Sequence, residues 1–123
     1  MFNKLIDKAV ALKDLPQGKY KHLSFILRRN KILSIGWNLM NKTHPWAKKY
    51  GFEFGFQHAE CMAIKNFPCP YSELSKCKLI NVRLISKEKI ALSKPCVNCA
   101  NLLSLFNVGE VWYTTNSGLF VQL

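Results

Sequence analysis

Two short clusters constrain this chain more than anything else in it. His58 and Glu60 stand two residues apart, and Cys96 and Cys99 stand three apart directly after Pro95. Imidazole and paired thiolates are ligands for a single zinc-like ion, and cysteines at this spacing share one turn of a helix. A fold that uses all three must bring position 58 against positions 96 and 99. The start of a helix favours thiolate over thiol through its partial positive charge. Three ligands leave one coordination position open, as catalytic zinc sites do; a structural site would want a fourth His or Cys. A carboxylate beside that open position, the place Glu60 would take, can accept a proton from bound water and pass it on.

The pattern around these clusters alternates helix and strand. Phe2, Leu5, Ile6, Ala9, Val10 and Leu12 recur at helical spacing, which predicts an amphipathic helix over 2–13, ended by Pro16-Gln17-Gly18. Leu23, Phe25 and Leu27 alternate as in a strand, and Arg29-Asn30-Lys31 predicts a turn into a second strand from Ile32 to Trp37. Residues 38–57 have no regular period, and a connection of that length in a small domain usually serves function. His58 to Asn66 predicts a short helix stopped near Pro68 and Pro70, and Leu79 to Ser86 a central strand ended by Lys87-Glu88. Pro95 to Phe106 predicts another helix with Ser93 as its cap, closed by Gly109. Val111 to Thr114 and Leu119 to Leu123 predict a final pair of strands around Asn116-Ser117-Gly118. The order α-β-β-α-β-α-β-β predicts one mixed sheet with helices on its faces. The 123 residues suit one domain, 1–123.

No stretch approaches the roughly 20 apolar residues of a membrane span. The N-terminus lacks the apolar run and cleavage site of a signal peptide. Five cysteines make an odd set that does not suit a disulfide framework, and only Cys96 and Cys99 have metal-like spacing. A soluble cytoplasmic protein in a reducing compartment is the expectation. Eighteen Lys and Arg against seven Asp and Glu give a net charge of +11, a field that favours polyanions or a phosphorylated small substrate.

His58-Ala59-Glu60 and Pro95-Cys96-Val97-Asn98-Cys99 resemble the two motifs of the zinc-dependent cytidine deaminase superfamily, in which the Glu is acid and base rather than a ligand. The resemblance covers most of the chain, because helix, hairpin, motif helix, strand, motif helix and strand follow the family order. It implies a three-layer α/β fold: a mixed five-stranded sheet, helices on both faces and a C-terminal hairpin. It implies one Zn2+ per chain held by His58, Cys96 and Cys99. It further implies hydrolytic conversion of cytosine to uracil, with Glu60 delivering a proton to N3 and ammonia leaving from C4. Trp37-Asn38 resembles the segment that offers an Asn to the sugar, so Asn38 would hold the ribose or deoxyribose. Ala59 would present its backbone N–H to the base carbonyl, and Ser93 would use its backbone to hold the departing amino group.

Two substrate readings follow, with oligomeric state left open. Single-stranded DNA or RNA suits the charge, since neutralising several phosphates takes several cations. Free cytidine, deoxycytidine or dCMP suits the short chain. Adenine in place of cytosine is a further reading, and so is a module that only binds nucleic acid, although an intact Glu60 has no purpose there. Cys61 and Cys69 read as packed or free thiols, and His22 and His44 as ordinary polar residues. A second metal on Cys69, Cys77 or His44 is a minor alternative. Phe52, Phe54 and Phe56 form either an apolar strand face or a platform for unpaired bases, with the first preferred. Trp112 and Tyr113 read as core.

Overall fold

The computed structural model describes residues 2–16, 21–39, 58–85 and 89–123. Strand β1 (Lys21–Arg28) sends Leu23, Phe25 and Leu27 to one side of the sheet and Ile26 to the other. Strand β3 (Lys78–Ile85) divides in the same way, with Ile80, Val82 and Leu84 opposed to Leu79. Covered on both faces, these strands read as nearly continuous apolar runs rather than as alternation. Helix α1 (Phe2–Ala11) closes the first side with Leu5 and Ala9. Helices α2 (Ala59–Lys65) and α3 (Val97–Leu105) close the other with Cys61, Ala63, Ile64, Cys99, Leu102 and Leu103. Each large side chain buried this way contributes about 1.5–3 kcal/mol, so the two cores fix the three layers.

The remaining strands are β2 (Lys31–Trp37), β4 (Lys89–Ala91), β5 (Glu110–Thr114) and β6 (Phe120–Gln122). The main path of the sheet is β2-β1-β3-β5-β6, with β4 paired to the end of β3. Among the described residues only β3 and β5 pair in parallel. Because β1 is antiparallel to both β2 and β3, strands β2, β3 and β5 all point the same way. Helix α2 comes after β2 in the chain, and the segment before α3, which follows β4, is tied to the end of β5 by the bond from the Ser93 N–H to the Thr114 carbonyl. Two helix N-termini thus meet at the carboxyl end of the sheet, where open α/β sheets hold their ligands.

One glycine sets how closely this happens. A Cβ at Gly36, next to the end of β2, would lie 2.1 Å from the Ala59 carbonyl oxygen and 2.4 Å from the Ala63 nitrogen. Helix α2 rests directly on β2 backbone there, and the Ser34 hydroxyl donates to the Ala63 carbonyl one register further on. At the other edge, the Phe2 ring stacks on Phe120 and tilts against Trp112, with centroids 4.4 and 5.4 Å away. Gly118 turns the final hairpin at φ +82°, a left-handed conformation that glycine adopts without strain.

Three-layer α/β architecture, helices on both faces and the C-terminal hairpin agree with expectation, and four details differ. A sixth short strand, β4, pairs with Arg83–Ile85; three residues are too few to display a period. A 3-10 helix spans Tyr71–Lys76. Helix α1 ends at Ala11 rather than at residue 13. Ser93 does not cap α3: Cys96 does, its sulfur accepting from the Cys99 N–H at 3.4 Å, and Pro95 lies buried just outside the helix. His44 and the Phe52, Phe54 and Phe56 run lie outside the described residues. Among the described residues no helix is long and apolar enough to cross a membrane.

Candidate active site

His58 and Cys96 occupy equivalent places, each the N-cap of its helix with extended backbone, at φ −76° and −65°. That conformation turns both side chains out of the first turn and toward each other. His58 Nδ1 lies 3.9 Å from Cys96 Sγ and 3.3 Å from Cys99 Sγ, and the three ligand atoms all fall within 4.8 Å of one another. A tetrahedral zinc with bonds of about 2.0–2.3 Å sets its ligands ~3.6 Å apart, so the trio fits that ion. It is the only such group among the described residues; Cys69 and Cys77 assemble no second one.

The charges of the donor atoms point the same way. Cys96 is held down to about 4, first by the hydrogen bond from Cys99, against burial, and then by His58. Cys99 is pushed far up by hydrogen bonds with Cys61 and Cys96 and by burial. Two thiols this close oppose each other's ionisation, and a divalent cation beside them would allow both to be thiolates. Burial opposes a charge on His58, but its bond to Cys96 and the nearby Glu60 outweigh this and raise it above its ordinary value. These neighbours make the same pocket a favourable place for a cation.

Glu60, in the first turn of α2, is 3 % exposed. Its Oε2 accepts a hydrogen bond from Asn81 Nδ2 at 3.1 Å. The same nitrogen donates to the Ser93 carbonyl at 3.2 Å, and the Asn81 Oδ1 accepts from the Ser24 hydroxyl. Ser93 is tied on every side: its hydroxyl donates to the Asn81 carbonyl and accepts from the Thr114 N–H, and its own N–H donates to the Thr114 carbonyl. Thr114 in turn donates its hydroxyl to the Ala91 carbonyl. Ser24, Asn81, Ser93 and Thr114 are all fully buried. Four strand and loop segments are thereby locked around the carboxylate.

Ala59 and Asn38 are the other residues expected from sequence. Ala59 is the first residue of α2, in the turn whose N–H groups have no intrahelical acceptor. Asn38 follows β2, and its Oδ1 accepts the His22 N–H at 2.9 Å, which pins the side chain beside the start of β1. Sequence reasoning passed over Asn81, Ser24 and Thr114. The available signal was an Asn inside an otherwise apolar strand, Leu79-Ile80-Asn81-Val82. His22 is more than an ordinary polar residue. It pairs across the sheet with Arg83, on the face that carries Ser24 and Asn81. Burial lowers its pKa while Glu60 pulls it upward. Cys61 is buried in the core, as expected.

No protein-family model and no curated protein matches the chain. Solved structures do. The chain is similar to the apo crystal structure of dCMP deaminase from the cyanophage S-TIM5, at 17% identity and a TM-score of 0.64, over 93% of this chain and 82% of that one. It is also similar to that enzyme in complex with dCMP and dUMP, at 15% identity and a TM-score of 0.59, over 92% and 79%. The fold is therefore that of the cytidine deaminases.

Proposed function

We propose that this chain is a zinc-dependent hydrolytic deaminase that converts cytosine to uracil in a free nucleotide of the dCMP type. The observation that carries the reading is a buried carboxylate, Glu60, on the same helical turn as one member of a three-ligand metal set with no fourth donor among the described residues. A zinc ion held by His58, Cys96 and Cys99 would supply a water whose pKa falls toward about 7.

The side chains supply the rest. Glu60 takes one proton of the attacking water and delivers it to N3, which makes C4 electrophilic, and then carries the second, from the hydroxyl formed at C4, to the amino group. The Ala59 N–H faces the base carbonyl, where charge accumulates as the ring is attacked. The Ser93 carbonyl accepts from the amino group that departs as ammonia, and Asn38 holds the sugar. Burial around Glu60 keeps bulk water from competing for the proton.

A free nucleotide is favoured over a polynucleotide because the chain has the fold of an enzyme whose structure holds dCMP and dUMP. The net charge of +11 is the one observation on the side of single-stranded DNA or RNA. One experiment separates the two: zinc-loaded protein is incubated with deoxycytidine, dCMP, and single- and double-stranded oligonucleotides, and uracil is measured. Fastest turnover on dCMP is expected. Preference for an oligonucleotide would reverse the choice of substrate, and an inert, fully metallated protein would remove the deaminase reading.

A further inference from the structure

We propose that Asn81 is the positioning residue of this site: one carboxamide nitrogen holds both Glu60 Oε2 and the Ser93 carbonyl, leaving Glu60 Oε1 to carry the proton. Its kinetic consequence rests on the deaminase reading; its geometric content does not.

The orientation of the amide follows from chemistry. A carboxylate oxygen and a backbone carbonyl only accept, so the atom facing both must be the NH2 group. Its oxygen is then left for the Ser24 hydroxyl, which donates to it. A single residue thus fixes the spacing between the proton carrier and the group that receives the departing amine. These two belong to different elements, α2 and the loop before α3, and Asn81 bridges them.

The position is an expensive one for an amide. Asn81 sits in the central strand and is 0 % exposed, with Leu79 and Ile26 as apolar neighbours on the same face. An apolar side chain would spare the burial of the amide but leave the Ser24 hydroxyl, Glu60 Oε2 and the Ser93 carbonyl without this partner. Asp would offer no donor and would set a second carboxylate against Glu60. Two donors on one atom, with an acceptor behind it, is a requirement that Asn meets at this length.

Asn81→Leu keeps the branching and the number of side-chain heavy atoms and removes the donors. In the zinc-loaded variant kcat should fall about 100-fold, the scale of loss for a misplaced reacting group. KM should change by less than about threefold and zinc should stay near one per chain, on the same principle that only the proton carrier has moved. A crystal structure of the variant should show the Glu60 carboxylate turned away from the Ser93 carbonyl. Undiminished kcat, or an unmoved Glu60, would overturn the proposal. If this variant does not fold, Ser24→Ala removes only the hydroxyl that anchors the amide. A roughly tenfold fall in kcat at unchanged KM and zinc supports the role, and unchanged kcat overturns it. A wild-type protein without deaminase activity would end the functional reading, while the position of Glu60 in the variant would still decide this one.

Discussion

His58 Nδ1 lies 3.3 Å from Cys99 Sγ across 41 residues of chain. The contact is closed by backbone: α2 rests on Gly36, α3 packs beside α2 in one core, and both helices start at the same end of the sheet. The metal ligands are thus brought together by the packing of these elements, and different substitutions should separate ligation, chemistry and scaffold.

Cys96 and Cys99 should fail differently. Cys96 is exposed and Cys99 fully buried. Either Cys→Ala change should reduce zinc from about one per chain to a small fraction, because two protein ligands seldom retain the ion. Cys99→Ala should also destabilise the metal-free protein by about 1 kcal/mol more, through the cavity it leaves. Metal analysis and thermal unfolding with and without a chelator check both points. A fully metallated Cys96→Ala protein would refute the ligand set.

Glu60→Ala should lower turnover by about 10²–10⁴-fold, the contribution of a positioned acid and base, with zinc still near one per chain. Steady-state rates and metal content, measured on the same preparation, decide it. Appreciable residual turnover would show that another group moves the proton.

Gly36→Ala tests the scaffold. The new methyl would meet the Ala59 oxygen and Ala63 nitrogen, both backbone atoms that cannot step aside without moving the helix. A loss of about 1–3 kcal/mol is expected from such overpacking. Because His58 immediately precedes α2, zinc affinity should fall along with the melting temperature. Unaltered zinc affinity in a destabilised protein would show that His58 is located by something other than this contact.

What could be read from the sequence followed from periodicity and from chemistry carried by residue type. The alternation of Leu23, Phe25 and Leu27 and the helical repeat of Leu5 and Ala9 declare the faces that form one core. His58, Glu60, Cys96 and Cys99 declare a metal site because few other uses suit that combination. Asn81 was illegible for a physical reason: its partners, Ser24, Glu60 and Ser93, lie 57, 21 and 12 residues away, and only the strand register brings them together. The three-residue β4 was hidden because it is shorter than any period that could reveal it. Ser93 was assigned as a helix cap because its residue type suits that place, yet its hydroxyl serves Asn81 and Thr114 instead.

The charge can be put to use last, through salt. If the substrate is a lone nucleotide, one or two cations meet its phosphate, and KM should rise by only a few-fold between about 50 and 200 mM salt. A polynucleotide engaging six to ten phosphates would lose about 10³–10⁵ in affinity over the same range. The net charge of +11 will attract any polyanion at low salt, so binding there is uninformative; the slope carries the information. A shallow response for dCMP turnover, together with oligonucleotide binding that vanishes by physiological salt, is the expected pair of results. Oligonucleotide deamination that persists there, with a steep slope below it, would transfer the assignment to single-stranded nucleic acid.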